Sequence, residues 1–430
     1  MRIQACSLAS LAAALTVTTT AVVADELTPT NAPAKSFWER DTLTGNWGAG
    51  RARLAEHGID FSPVYTGEVF GDVAGGKYGT GAVYDHSLNL PLTLDLEKLA
   101  GWKFATLHAN AFWIAGQSLT ENCVGDIANV SNISGNPTLR LQELWLQQNF
   151  WEQTVSVKAG LIAVDSDFFT ATSAALFING SFGAFPIFGA NLPNPPVYPM
   201  AAPAVHLLVQ PCPRFYFQTA VFDGNAGTQT GNPSGTDFPI NAADGALIFS
   251  EIGFLPPPEA ETNNLATTVK IGSFILTKRV PTWDAQITGN TGGGTANFGF
   301  YAVAEQDLFR RAESKITAFA RGGYAPANRN VVNWYLDVGF NCAGFIPGRA
   351  NDVAGIALAR SNFSCDYSRY QQSVNGADTF DSEMIIEATY RAQIFPWWTL
   401  QPDLQYVFTP GGSRDCRDAV VIGLRTTISF

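Results

Sequence analysis

Histidine, cysteine and paired carboxylates carry most protein catalysis and metal binding, and in this chain they are dispersed. His57, His86, His108 and His206 have no nucleophile motif beside them, and no G-x-S-x-G, H-E-x-x-H or Walker loop occurs. The spacing offers no catalytic constellation and no zinc or redox site. Beyond Cys6 the cysteines are Cys123, Cys212, Cys342, Cys365 and Cys416, without the CxxC spacing of zinc or redox sites. Their odd number leaves at least one unpaired, and Cys342 with Cys365 is the expected disulfide. Asp366 with Asp378, or Asp415 with Asp418, are candidate Ca²⁺ ligands, for which solvated loop charge is the plainer reading.

The informative chemistry is polar residues two apart, interleaved with apolar ones. In the last residues Val420, Ile422, Leu424, Ile428 and Phe430 alternate with Gly423, Arg425, Thr427 and Ser429. Leu400, Leu404, Tyr406 and Phe408 oppose Gln401, Asp403 and Gln405, and Met384, Ile386, Ala388 and Tyr390 oppose Glu383, Glu387, Thr389 and Arg391. A period of two puts one set on an apolar face and the other on a polar face of a strand. Extended along the chain, it puts Glu68, Asn89, Glu143, Trp145, Gln147, Lys158, Arg321, Glu383, Glu387, Arg391, Asp403, Gln405 and Arg425 on one polar wall. That wall mixes both signs of charge, whereas ion-selective pores concentrate one. Mixed donors and acceptors beside an aromatic ring suit a neutral polyhydroxylated solute. Bracing of the wall by paired charges is the plainer reading of each residue.

The elements that must position this wall are long strands. Sixteen are expected, over 59–73, 81–96, 103–116, 139–152, 154–168, 203–210, 213–223, 243–255, 267–278, 297–311, 315–327, 333–345, 351–363, 383–395, 398–409 and 419–430. Lengths near ten residues, with aromatics at strand ends (Phe150, Trp151, Trp397, Trp398, Phe408), fit tilted crossings of a bilayer. Strands in lipid must close, so an all-β transmembrane antiparallel barrel is expected. Charged residues are only 15%, glycines number 40, and no apolar run nears the roughly 18 residues of a spanning helix. The first 24 residues read as a secretory signal, with Arg2 before the apolar Leu8 to Val23, and small residues to Ala24. Its removal lowers the formal net charge of −11 by one. An acidic chain argues against a nucleic-acid partner. Residues 25–58 are expected as an N-terminal periplasmic segment with a short helix over Arg51 to His57, and 59–430 as the outer-membrane barrel. Short links such as Trp151 to Gln153 and Pro396-Trp397 read as periplasmic turns, and Leu96 to Gly101 as a helical turn. The links 117–138, 224–242, 279–296 and 364–382 read as outer loops. Residues 169–202, centred on Phe182, Phe185 and Phe188, are too apolar to lie in water, and are expected to fold inward as a constriction loop.

Across nearly the whole mature chain the motifs resemble the OprB family of carbohydrate-selective porins. The resemblance runs through Leu43-Thr44-Gly45-Asn46-Trp47-Gly48, Arg51, Arg53-Leu54, Gly58-Ile59, and Tyr65-Thr66-Gly67-Glu68. It continues at Glu143-Leu144-Trp145, Gln148-Asn149-Phe150 and Lys158-Ala159-Gly160. It is densest at Glu383, Glu387, Tyr390, Gln393, Pro396-Trp397, Gln401-Pro402-Asp403, Gln405-Tyr406, Pro410-Gly411-Gly412, Gly423-Leu424-Arg425 and Phe430. Ala49 departs from the pattern, and the loops 117–138 and 224–242 are individual. The resemblance implies sixteen strands in the outer membrane of a Gram-negative bacterium, passive uptake of glucose and related sugars, no cofactor, and assembly as a homotrimer in contact with outer-membrane lipid. The expected solute contacts are Glu68, Glu143, Trp145, Arg321, Glu387, Arg391 and Arg425. The alternatives are a general or ion-selective porin, which sugar would not block; an outer-membrane enzyme or adhesin, which would not conduct; and a soluble exported β protein, which would need no detergent.

Overall fold

Alternation along the chain becomes hydrogen-bonded register in space. In the computed structural model, which describes residues 36–238, 240–256, 265–376 and 380–430, sixteen strands each pair antiparallel with the next in sequence. A short strand, β1 (Ile59–Phe61), precedes them and pairs with β3 at Leu92 to Leu94. The barrel comprises β2 (Val64–Gly76), β3 (Gly81–Asp95), β4 (Ala105–Gly116), β5 (Thr138–Phe150), β6 (Val155–Ile162), β7 (Ala202–Cys212), β8 (Phe215–Asp223) and β9 (Ala246–Phe254). It continues through β10 (Thr267–Val280), β11 (Thr295–Arg311), β12 (Ser314–Tyr324), β13 (Val332–Ala343), β14 (Val353–Phe363), β15 (Ser382–Phe395), β16 (Trp398–Phe408) and β17 (Arg417–Ser429). β17 closes on β2, with Arg425 opposite Glu68 and Ser429 opposite Val64. Closure leaves no unpaired edge, as a hydrocarbon phase demands. Among the described residues no helix is long and apolar enough to cross a membrane.

The outward face carries the apolar set. Val69, Leu144, Val205, Ile252, Ile271, Phe300, Leu336, Ile356, Leu404 and Ile422 are all exposed. So wide an apolar belt is tolerable only against lipid. The secretory signal expected over residues 1–24 lies outside the described residues. From Phe37 on, the N-terminal segment lies against the closing strand at the short-link end. The Leu43 amide donates to the Ser429 carbonyl at 2.8 Å, Arg51 to the Phe430 carbonyl at 2.6 Å, and the Trp397 indole to the Phe37 carbonyl at 3.2 Å. The short helix there is α1 (Gly50–Glu56), and α2 (Leu96–Ala100) links β3 to β4, capped by Asp95.

Four expectations need correction. The first strand is interrupted, because Pro63 has no amide for the ladder; its carbonyl instead accepts the Phe430 amide at 2.9 Å. β6 stops at Ile162 rather than 168, since the Ala163 amide turns inward to Glu143. The loop expected outside over 117–138 folds inward instead, burying Leu119, Val124, Val130 and Ser131. Cys342 and Cys365 are both free. Cys342 opposes Ala354 at the short-link end, whereas Cys365 begins a helix beyond the opposite end of β14. Eleven residues of strand separate those levels, about 35 Å at the usual rise, too far for a disulfide. The inward link between β6 and β7 carries the short helix α3 (Pro186–Gly189). Two outer links are partly helical: α4 (Trp283–Ile287) packs on α5 (Cys365–Asn375), and Trp283 lies against Tyr367 and Tyr370.

Candidate functional site

The barrel interior is divided between an apolar side and a polar side, and the link 163–201 forms the divide. On β8 to β11 the inward residues are Phe222, Ala220, Leu247, Phe249, Phe274, Leu276, Tyr301 and Val303, all buried. Against them pack Phe168, Phe169, Phe177, Phe182, Phe185 and Phe188 of the inward link. Phe188 lies 4.5 Å from Phe169 and 5.5 Å from Phe274 between ring centroids. Aromatic rings of this kind each gain about 2 kcal/mol from leaving water, so they collapse onto one another and onto the wall. Phe182, Phe185 and Phe188 are therefore 2% exposed or less and present no ring to a solute. Their rings are spent on packing the inward link against the wall.

Wall carboxylates hold the backbone of the inward segments. Walking round the barrel, Glu143 on β5 accepts the Ala163 amide at 3.0 Å, and Glu251 on β9 accepts that of Phe169 at 2.9 Å. Glu305 on β11 accepts that of Ser173 at 2.7 Å, and Glu387 on β15 those of Ile178 and Asn179 at 2.6 and 2.9 Å. Glu383 accepts the amides of Ile127 and Gly411 at 2.9 and 2.6 Å, fixing the second inward segment. Wall donors take the carbonyls. Arg321 donates to those of Ser181 and Gly183, while paired with Asp337 at 2.6 Å. Gln401 donates to Leu176, and Gln405 to Val130 and to Asp403. Packed against the inner wall, these buried amides are shut off from water, so a carboxylate is the natural partner.

The residues read as one polar wall thus separate by what they touch. Glu143, Arg321, Glu383, Glu387, Asp403 and Gln405 are buried, and all but Asp403 grip an inward segment directly. Glu68 is buried beneath Arg425, which donates to it at 2.9 and 2.5 Å and to Asn132 at 2.7 Å. Arg391 is half-buried and has no ion-pair or hydrogen-bond partner among the described residues. Trp145 is half-buried between neighbours from the flanking strands, His108 stacked at 4.8 Å and the Lys158 ammonium 4.7 Å from its ring. Lys158 in turn donates to both oxygens of Asp167 at 2.8 Å. In the inward link, burial pushes the Asp165 carboxyl up to about 6, opposed by the Tyr198 amide it accepts. Burial also raises Asp167, but the Lys158 ammonium and His206 outweigh it and hold its carboxyl below the usual range.

The polar side lies along β2 to β5. Here Thr66, Asn89, Pro91, Thr93, His108, Phe112 and Trp145 face inward yet remain half-buried, in contrast to the buried Ala220, Phe249 and Phe274 on the inward face of β8 to β10. Buried polar atoms without a partner among the described residues gather here too: Glu68 Oε2, Asn89 Oδ1, Asn110 Oδ1, and Arg140 Nε and Nη1. Such atoms are costly unless a solute or water satisfies them. Asn110 and Arg140 are absent from the sequence-based set. Arg140 is hidden by a bulge in β5, where Asn110 opposes Glu143 but Ala111 opposes Leu141. Strict alternation from Glu143 points Arg140 at lipid; the extra residue, Gln142, reverses that.

The comparisons with known proteins agree with this architecture. A model of the family described as "Carbohydrate-selective porin, OprB family" matches residues 79–430. Porin B of Pseudomonas aeruginosa is 27% identical over 425 residues, spanning 90% of this chain and 91% of that protein. The high-pH structure of Pseudomonas putida OprB superposes with a TM-score of 0.83 at 25% identity, covering 92% of this chain and all of that one. The low-pH structure of the same protein gives 0.59 at 21% identity, covering 91% and 99%.

Proposed function

The chain belongs to the OprB family of carbohydrate-selective porins, and from that premise we propose that its sugars travel along the β2 to β5 side of the lumen. The protein is an outer-membrane channel for passive diffusion of carbohydrates into the periplasm. One observation carries the route: inward Asn89, Pro91 and Thr93 on β3 and His108 and Phe112 on β4 keep solvent exposure, whereas inward Ala220, Phe249 and Phe274 on β8 to β10 do not. The solute contacts on this reading are Asn89 and Asn110 with their free amide oxygens, the Arg425 guanidinium over Glu68, and the exposed part of Trp145. Amide and guanidinium groups match the donors and acceptors of sugar hydroxyls. Several weak contacts in series speed transit, where one tight site would stall it. Glu143, Arg321, Glu383 and Glu387 then act through the inward segments they hold, and Arg391 waits nearer the periplasmic end. No catalytic step is involved.

The test is block of ion current by glucose in planar bilayers. An Asn89→Ala, Asn110→Ala double variant is expected to need about fivefold more glucose for half-block, from losing two hydrogen bonds of roughly 0.5 kcal/mol each. Unchanged block in the double variant sinks the route. Absence of block in the unmodified protein points to a general porin instead.

A further inference from the structure

Arg140 sits apart from the other buried cations. Lys158 has Asp167, Arg321 has Asp337, Arg425 has Glu68, and Lys270 has the Thr170 carbonyl and hydroxyl. Arg140 is only 2% exposed, and among the described residues it has neither an ion-pair nor a hydrogen-bond partner. A guanidinium out of water without an anion is strongly unfavourable, so a functional counter-ion is the natural reason to keep one. Its surroundings are built. Phe112 lies directly across from it on β4, and the Phe112 ring meets Tyr198 edge to face at 5.1 Å. Tyr198 is fixed by its hydroxyl, which donates to the Ile133 carbonyl at 2.8 Å. The outer loop after β8 closes over the site, where the Leu141 amide donates to the Ser234 carbonyl at 2.8 Å. Asn110, two residues from Phe112 on the same inward face, adds its free oxygen.

We propose that Arg140, with Phe112 and Tyr198, forms a subsite for the carboxylate of a sugar acid, so that the channel favours singly charged acidic sugars over neutral ones. This rests on the sugar route along β2 to β5. The guanidinium fork matches a carboxylate in two parallel hydrogen bonds, and the Phe112 ring offers an apolar face to the sugar carbons.

The experiment compares gluconate with glucose as blockers of single-channel current, at matched ionic strength. In the unmodified protein, half-block by gluconate is expected at about tenfold lower concentration than by glucose, the usual size of a charge-assisted contact. In Arg140→Gln the two concentrations converge; in Arg140→Lys, which keeps the charge, part of the difference survives. Arg391→Gln, removing an unpaired cation on the inward face of β15, keeps the full difference. Heat-dependent gel migration reports whether each barrel has folded, and the Lys variant decides if the Gln variant has not. Equal block by both solutes in the unmodified protein overturns the proposal. So does a difference that persists in Arg140→Gln or vanishes only in Arg391→Gln. Failure of both solutes to block overturns the sugar route itself and this subsite with it.

Discussion

The two sides of the lumen differ in how their side chains are satisfied. On β8 to β11 the wall and the inward link satisfy each other, ring against ring, with Glu251 taking the hydroxyls of Tyr216 and Tyr301 and the Phe169 amide in one network. On β2 to β5 the wall is left with free oxygens at Asn89 and Asn110 and an unpaired guanidinium at Arg140. The first side is a folding core placed inside a barrel. The second is a surface kept unfinished. The comparison teaches that a strand's inward polar residue is not by itself a solute contact; what decides is whether the protein has already used its hydrogen-bonding capacity.

The sharpest way to break this comparison is to damage the satisfied side. Phe188→Ala is expected to cost about 4 kcal/mol, the usual cost of truncating a fully buried ring, seen as a lower temperature for heat-dependent gel migration and as larger, noisier conductance. A variant with unaltered migration and current would mean that the aromatic core does not hold the inward link. Next in size, Glu387→Ala strands the Ile178 and Asn179 amides, at about 3 kcal/mol for two unsatisfied donors. Hydrogen exchange at residues 176–180 should rise well before that of the barrel strands. Uniform exchange across the chain would deny the clamp.

The polar side should respond in the opposite way. Asn110→Ala is expected to leave thermal stability unchanged and weaken glucose block about twofold, as a single hydrogen bond warrants. A large loss of stability there would show that the oxygen is structural. The smallest effect is in pH. The Asp165 carboxyl, raised to about 6, binds a proton more readily in the folded chain, so stability grows as pH falls from 6 toward its ordinary 3.8. Asp167, held low, gives stability that is lost only as pH falls below 3.8. Exchange protection at 163–169 should therefore hold or rise between pH 7 and 5, and a fall in that window would contradict these assignments.

Much of the barrel could be read from residue alternation, because a strand with lipid on one face repeats strictly every two residues. Leu400, Leu404 and Tyr406 against Gln401, Asp403 and Gln405 is one such record. The interruptions were hidden. A bulge at Gln142 reverses facing without changing composition, and Pro63 splits a strand whose apolar pattern continues through it. The inward path of 119–131 was also illegible, since its polar composition is that of an outer loop. Only the distant acceptor Glu383 and the distant donor Gln405 show why it folds in. For the candidate site, facing direction was legible at Glu387 and Arg321, but partnership was not, because their partners lie some 140 to 200 residues away in sequence.

The most direct test of a route along β2 to β5 is lumen accessibility in a chain whose native cysteines are replaced by serine. A single cysteine is placed at Asn89 or at Val303, and a small charged thiol reagent is added to the open channel. Rapid modification and a step down in current for Asn89→Cys, with Val303→Cys inert, is the predicted result. Equal reaction at both positions, or reaction at Val303 alone, would contradict it.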